Sequence, residues 1–283
     1  MSDVPDPATR AEILRLAERV ERDDGAPPLS DQTLTQLRSG AVRHLVTRDG
    51  SGELTGYAQL DDESVEIAAA PDAAAGLLDQ ALAAGPGPIR VWSHGRHSRL
   101  IPVLEEHGFI RARELHQLRR DLADLPADPP LADGVTVRAF VPGRDDGAWL
   151  RVNAAAFATH AEQGRWTAAD LQARIDESWF DAAGFLLAER DGDLLGYHWT
   201  KVHPDGLGEV YVLGIAPDAQ GLGLGSALLV RGLRHLRDVR GCPAVLLYVD
   251  GDNPGALHLY ERDGFTKYDL DIQWSSGDVT PRG

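Results

Sequence analysis

The stretch from Gly208 to Leu236 constrains the fold most, because three patterns follow one another in it without interruption. A short run from Val210 to Ile215, rich in β-branched and aromatic residues, predicts a buried strand. Pro217 ends the strand, and a glycine-rich loop and an apolar pattern of helical spacing come next. Residues without Cβ let backbone N–H groups converge at the positive end of a helix. The stretch therefore predicts an α/β fold with an anion site.

The loop reads Gln220-Gly221-Leu222-Gly223-Leu224-Gly225-Ser226. It lacks the Lys-Ser/Thr pair of a nucleoside-triphosphate loop, and its spacing differs from the G-x-G-x-x-G of a dinucleotide fold. A tight structural turn is the alternative interpretation. The loop resembles the Q/R-x-x-G-x-G/A segment of the GNAT-type N-acetyltransferases. This resemblance implies that Gln220 to Ser226 bind the pyrophosphate of acetyl-CoA, the co-substrate of that family.

A second motif of the same family follows an apolar strand at Val245 to Val249. The pattern N-x-x-A-x-x-x-Y-x-x-x-G-F is complete, with Tyr260 on a predicted helix from Pro254 to Arg262. The resemblance implies that the Tyr260 hydroxyl protonates the departing CoA sulfur; a core tyrosine with a satisfied hydroxyl is the alternative. The resemblance also implies acetyl-CoA contacts from Leu213, Gly214 and Ile215 and from Asn253, Pro254, Gly255, Ala256, Leu257 and His258.

An N-acetyl transfer needs a held thioester, a base that makes the amine neutral, and an acid for the thiolate. A β-bulge or splay near Leu213 to Ile215 would expose main-chain groups to the pantetheine arm, and Gly214 suits such a break. Glu209 is the candidate base, because partial burial at the start of the strand would make its carboxylate a better proton acceptor. A solvated strand-end carboxylate is the alternative.

The chain repeats itself. Gly56-Tyr57 matches Gly196-Tyr197, Ala70-Pro71-Asp72 matches Ala216-Pro217-Asp218, and Gly108-Phe109 matches Gly264-Phe265. The separation grows slowly along the chain, as loop insertions would cause, so two copies of one fold lie in tandem. We predict two GNAT-type domains of α/β (α+β) class, each a mixed, mostly antiparallel sheet flanked by helices.

The acidic, proline-rich residues 122–134 lack periodicity and predict a linker between a domain at 1–121 and a domain at 135–283. The two copies differ chemically. Where the second has its glycine loop, the first has Ala73-Ala74-Ala75-Gly76, and Leu104 stands where the second has Tyr260. The first domain is therefore interpreted as degenerate, and catalysis is assigned to the second.

Longer runs carry a more specific resemblance: GYHWTKVHP from Gly196, GEVYV from Gly208 and EQGRW from Glu162. With the tandem arrangement they resemble the mycothiol synthases, which acetylate the cysteinyl amine of a cysteine-glucosamine-inositol conjugate with acetyl-CoA. The resemblance implies direct attack, with Glu209 as base and Tyr260 as acid. It also implies that the substrate faces Asp31 of the first domain and, in the second, Glu162, Lys201, Glu209 and Tyr248.

Two other functions stay open. The net charge of −16 suits another small amine, such as an aminoglycoside or a polyamine, and the degenerate half is compatible with a non-catalytic acyl-CoA sensor. The charge disfavours nucleic acid and anionic membranes as partners. Cys242, the one cysteine, is interpreted as packing, and neither a signal peptide nor a membrane span is visible. We expect a cytoplasmic monomer without metal that acts on a small amine-bearing pseudodisaccharide conjugate.

Overall fold

The protein is described by a computed structural model that covers residues 4–38, 40–61, 64–84, 87–158 and 163–277. The chain forms two compact units. The first comprises Met1–His116, Asp250–Asp252 and Asp269–Gly283, and the second comprises Gln117–Val249 and Asn253–Tyr268. Residues 269–283 thus belong to the first unit and residues 117–121 to the second, whereas the predicted domain limits assign both the other way.

Strand pairing explains this difference. Residues 272–275 pair antiparallel with residues 90–93, which lie in the first unit. The sequence repeat identifies similar patterns, but it does not state which sheet a strand joins. Residues 122–134, the predicted linker, contain no helix or strand, and Leu122 is buried in the core of the second unit.

The first unit is a sheet in the order β1-β2-β3-β4-β11-β5 with helices packed on it. Its helices and strands are α1 (Pro7–Asp24), α2 (Asp31–Gln36), β1 (Arg43–Arg48), β2 (Leu54–Leu60), β3 (Val65–Ala69), α3 (Pro71–Ala83), β4 (Arg90–Ser93), α4 (Leu100–Glu106), and the parts of β5 (Ile110–Asp121) and β11 (Thr266–Ser275) that fall in this unit. Ala73 to Gly76 lie inside α3, so a loop is not present there.

The second unit has the strand order β5-β10-β9-β8-β7-β6. Besides its part of β5, its elements are β6 (Thr136–Ala139), α5 (Asp146–Ala156), α6 (Ala168–Ile175), β7 (Phe185–Arg190), β8 (Asp193–Val202), β9 (Gly208–Ile215), α7 (Leu224–Arg234), β10 (Ala244–Asp250) and α8 (Pro254–Arg262). Neighbouring strands from β6 to β9 pair antiparallel, and β9 pairs parallel with β10. The predicted mixed, mostly antiparallel sheet is confirmed.

Helix α7 is held against the sheet of the second unit by a fully buried apolar face that includes Leu228, Leu229 and Leu233. Together with Val210, Leu247 and Cys242, the last two of these side chains form one core cluster, which agrees with the packing role predicted for Cys242. A π-helical turn at His235–Val239 continues α7. Within the described residues, no helix combines the length and the apolar character that crossing a bilayer requires.

Candidate active site

The strands β9 and β10 separate from Val210 onwards, three residues before the break that the sequence predicts near Leu213 to Ile215. In the described residues they pair only at Gly208 with Val245 and at Glu209 with Leu246. From Val210 onwards, β9 is hydrogen-bonded to β8 alone. The backbone of Leu213, Gly214 and Ile215 therefore faces no strand on the β10 side, and its polar groups are available to a ligand that enters the gap.

The β-bulge predicted as one form of this break lies elsewhere. The register between β8 and β9 shifts opposite Trp199 and Thr200, so Tyr211 is the additional residue. Gly214 has a different reason to be glycine, since a Cβ there would lie 2.8 Å from the ring of Tyr197. The bulge turns both Tyr211 and Val212 toward the aromatic cluster of this unit, away from α7.

The glycine loop has the geometry of an anion site. Gly221 and Gly223 adopt positive φ angles of 83° and 73°, and a Cβ at either would meet nothing within 4 Å. Gly223 is the N-cap of α7 and provides no capping side chain. The first helical hydrogen bond of α7 is donated by the Ala227 N–H to the Gly223 carbonyl oxygen at 3.2 Å. The N–H groups of Leu224, Gly225 and Ser226 thus bond to no backbone carbonyl of the described residues, as expected at an anion site.

Helix α8 brings Tyr260 to the same side of the sheet as Val210. The Asn253 side chain accepts a hydrogen bond from the Ala256 N–H at 3.1 Å, so Asn253 caps the helix as predicted. Pro254, Gly255 and His258 are exposed. Tyr260 is buried, packs edge-on against Phe265 at 5.7 Å and belongs to the same core cluster as Val210.

Burial raises the pKa of the Tyr260 hydroxyl above its ordinary value. Within the described part of the chain this hydroxyl donates no hydrogen bond to another residue. It is therefore a protonated group at neutral pH that is available to a partner from outside, as a general acid requires.

Glu209 is buried at the start of β9, with 7% of its surface exposed. Its Oε2 atom lies 2.8 Å from His203 Nε2 and 3.8 Å from Lys201 Nζ. Lys201 is the direct cross-strand neighbour of Glu209 on β8. The predicted alternative, a freely solvated strand-end carboxylate, does not describe this environment.

An aromatic wall lies beside Glu209. The Lys201 ammonium is 5.3 Å from the centre of the Trp179 ring and 5.7 Å from that of Tyr211. Arg174 of α6 donates from Nε to the Tyr211 hydroxyl at 3.0 Å. Burial is the main cause that raises the pKa of Tyr211, and the nearby Arg174 partly opposes it. The region beside the carboxylate therefore combines the aromatic rings of Trp179 and Tyr211 with the cationic groups of Lys201 and Arg174.

The remaining predicted substrate contacts have different settings. Tyr248 is exposed on β10, and its hydroxyl accepts a hydrogen bond from Gln117 Nε2 at 2.8 Å. Asp31 is the first residue of α2, and Ser30 is the cap, with its side chain accepting from the Thr33 N–H. Glu162 lies outside the described residues. Contact of these three with the substrate stays a prediction.

The comparisons with known proteins agree with this geometry. The model of the acetyltransferase (GNAT) family matches residues 153–265. A mycothiol acetyltransferase of Thermomonospora curvata is 50% identical, over 94% of this chain and 93% of its own length. One of Streptomyces avermitilis is 51% identical, over 95% and 92%. The chain belongs to the mycothiol acetyltransferase family.

Solved structures support the fold of this family member. A GCN5-related N-acetyltransferase from Sphaerobacter thermophilus has a TM-score of 0.71 at 23% identity, covering 97% of this chain and 94% of its own. A tandem GNAT protein from the clavulanic acid biosynthesis pathway has a TM-score of 0.71 at 17% identity, covering 98% and 97%. Two tandem GNAT domains, N-acetyltransferase activity, a small-molecule substrate and acetyl-CoA as co-substrate are thereby confirmed.

The first unit of this mycothiol acetyltransferase family member contains a carboxylate that the sequence comparison missed. The strands β3 and β4 also pair at two positions, Val65 with Val91 and Glu66 with Trp92. Glu66 therefore occupies the register that Glu209 has in the second unit. Each of the two strands has a glutamate near its start, which the sequence alone shows. Because the loops of the two repeats differ in length, the sequence did not reveal that these two glutamates correspond.

Both carboxylate oxygens of Glu66 accept hydrogen bonds, whereas among the described residues only Oε2 of Glu209 does. Glu66 accepts hydrogen bonds from the Ser30 N–H at 2.6 Å and the Ser30 hydroxyl at 2.8 Å, and it faces His94 Nε2 at 3.7 Å. Asp271 contacts the other His94 nitrogen at 3.0 Å. Burial alone would lower the pKa of His94, but these carboxylates raise it to about 10. The resulting imidazolium and the Ser30 donors keep Glu66 occupied, which supports the assignment of catalysis to the second unit.

Proposed function

We propose that this chain transfers the acetyl group of acetyl-CoA to the cysteinyl amine of a cysteine-glucosamine-inositol conjugate, which forms mycothiol. The names of its relatives and the GNAT motif support this substrate. The observation that carries the proposal is the position of the buried Glu209 at the last paired position before β9 and β10 separate, with the glycine loop at the end of the same strand.

In the proposed mechanism, Glu209 accepts a proton from the substrate ammonium. The freed amine attacks the thioester carbonyl carbon, the amide bond forms and the C–S bond breaks. The hydroxyl of Tyr260 gives a proton to the sulfur and is restored by the second proton that the nitrogen loses as the amide forms. Glu209 releases its proton to solvent, so the whole cycle releases one proton. The raised pKa of Tyr260 supports its part, because the hydroxyl is protonated when the thiolate leaves.

Backbone groups supply the binding of acetyl-CoA in this proposal. The N–H groups of Leu224, Gly225 and Ser226 would hold the pyrophosphate, and the free edge of Leu213 to Ile215 would bind the pantetheine amides. Asn253 to His258, at the start of α8, would lie against the same ligand. The net charge of −16 makes such a neutral cradle necessary, since the field of the protein repels an anionic ligand at long range.

The test uses the full chain with acetyl-CoA and the cysteinyl conjugate. Chromatography and mass spectrometry should detect free CoA and a conjugate that carries one acetyl group. Because the substrate has its own thiol, the product must keep one titratable thiol, which distinguishes acetylation at nitrogen from acetylation at sulfur. A polyamine or an aminoglycoside that is acetylated faster than the conjugate would refute the substrate assignment.

The role of Glu209 is tested with Glu209→Gln. Turnover should fall by roughly a hundredfold or more, the usual contribution of a general base, while the affinity for CoA stays unchanged. Glu66→Gln is the matched control, because Glu66 has the same strand register in the first unit and should leave turnover intact. Full turnover in Glu209→Gln would refute the mechanism and would leave the substrate assignment standing.

A further inference from the structure

The contacts of Glu209 divide unequally between its two oxygens. His203 and Lys201 both approach Oε2, at 2.8 Å and 3.8 Å. In the described part of the chain, no residue contacts Oε1 within hydrogen-bonding distance. A carboxylate oxygen only accepts, so the His203 ring donates from Nε2 in this contact. Oε2 is thus held by neighbouring side chains, whereas Oε1 is left without a contact from the described residues.

The hairpin between β8 and β9 determines where His203 stands. The His203 N–H donates to the Leu207 carbonyl at 2.9 Å, and the Gly206 N–H donates to the His203 carbonyl at 2.9 Å. Gly206 has a φ of 85°, and the Asp205 carboxylate accepts from the Leu207 N–H at 3.0 Å. The turn is therefore closed on both sides, and it directs the His203 ring across the strand pair at Glu209.

We propose that His203 is a positioning residue for the acetyl transfer: it fixes Oε2 of Glu209 so that Oε1 faces the substrate ammonium. The inference rests on the proposed role of Glu209 as base. A glutamate side chain has three rotatable bonds, and a base acts only within hydrogen-bond reach of the proton it removes. Lys201 alone does not set the rotamer, because its Nζ atom is 3.8 Å away and the contact is ionic rather than a hydrogen bond.

His203 makes the shortest polar contact with the carboxylate of Glu209. The charged or titratable groups that face Glu209 are Lys201 of β8, Tyr211 of β9 with its Arg174 partner, and His203 itself. Of these, only His203 donates a hydrogen bond to the carboxylate at 2.8 Å. Without that donor, none of these groups would hydrogen-bond to the carboxylate of Glu209.

The experiment compares His203→Ala with His203→Gln in the full chain, using acetyl-CoA and the cysteinyl conjugate. The Ala variant should lower kcat by roughly ten- to a hundredfold, the range for a lost hydrogen bond to a charged group, with KM for acetyl-CoA unchanged. The Gln variant places an amide N–H where Nε2 stands and should recover most of the rate.

His235→Ala is the matched control, because His235 Nε2 contacts the Asp181 carboxylate at the same 2.8 Å within the same unit. It should lower the melting temperature and leave kcat unchanged. A His203→Ala variant with wild-type kcat overturns the inference, and so does an equal loss in His203→Gln. If Glu209→Gln is itself fully active, the proposed role of Glu209 as base fails, whereas a failure of His203 alone leaves Glu209→Gln inactive, so the two failures are distinguishable.

Discussion

Two glycines of the glycine loop should respond differently to the same substitution. Gly223 has a φ of 73°, a left-handed conformation, whereas Gly225 lies within the first turn of α7. An alanine at Gly223 meets no atom within 4 Å, so its cost is purely conformational, about 1–2 kcal/mol. If the loop relieves that strain by moving, its N–H groups no longer converge, and the affinity for CoA should fall roughly five- to thirtyfold.

Gly225→Ala is the internal control. Its Cβ would lie 3.6 Å from Leu259 Cδ2, an ordinary contact, and alanine is the better helix former by up to about 1 kcal/mol. Titration calorimetry with CoA and urea unfolding of both variants measure the two effects. We expect weaker binding and lower stability for Gly223→Ala, with unchanged binding and equal or higher stability for Gly225→Ala. Wild-type affinity in Gly223→Ala, or an equal loss in both variants, would refute the reasoning.

Two further predictions concern Tyr260 and His94. Tyr260→Phe should reduce kcat by roughly a hundredfold or more, because the general acid is lost. Its stability should be unchanged, because the ring still packs on Phe265 at 5.7 Å. Full activity in steady-state assays would contradict this prediction. The pKa of His94 is about 10 when folded against an ordinary 6.5, so its stabilisation is complete below about 6.5 and is lost as the pH rises toward 10. The free energy of unfolding of the first unit, measured with urea, should therefore fall by up to about 1.4 kcal/mol per pH unit between these values. The variant His94→Gln should not show this pH dependence. A dependence that persists in the variant would exclude His94 as its cause.

Much of the site was predictable because its parts are local in the chain. The strand from Gly208, the glycine loop and the helix after it follow from residue types whose backbone preferences act within a few positions. The cap at Asn253 and the helix Pro254–Arg262 follow for the same reason. The break in β9 was predicted, but its bulge at Tyr211 was not, because a register shift depends on the neighbouring strand.

The amino-acid sequence alone predicted the tandem repeat, the glycine loop and the different residues of the two halves, since each is a pattern of residue types that does not depend on which strands pair. Tertiary structure decided which sheet residues 269–275 join, because strand pairing is a contact between distant segments. It also decided that Glu66 is engaged by Ser30 and His94, while Glu209 keeps one oxygen open. The surroundings of a buried carboxylate come from several strands and turns, and only their packing brings those together.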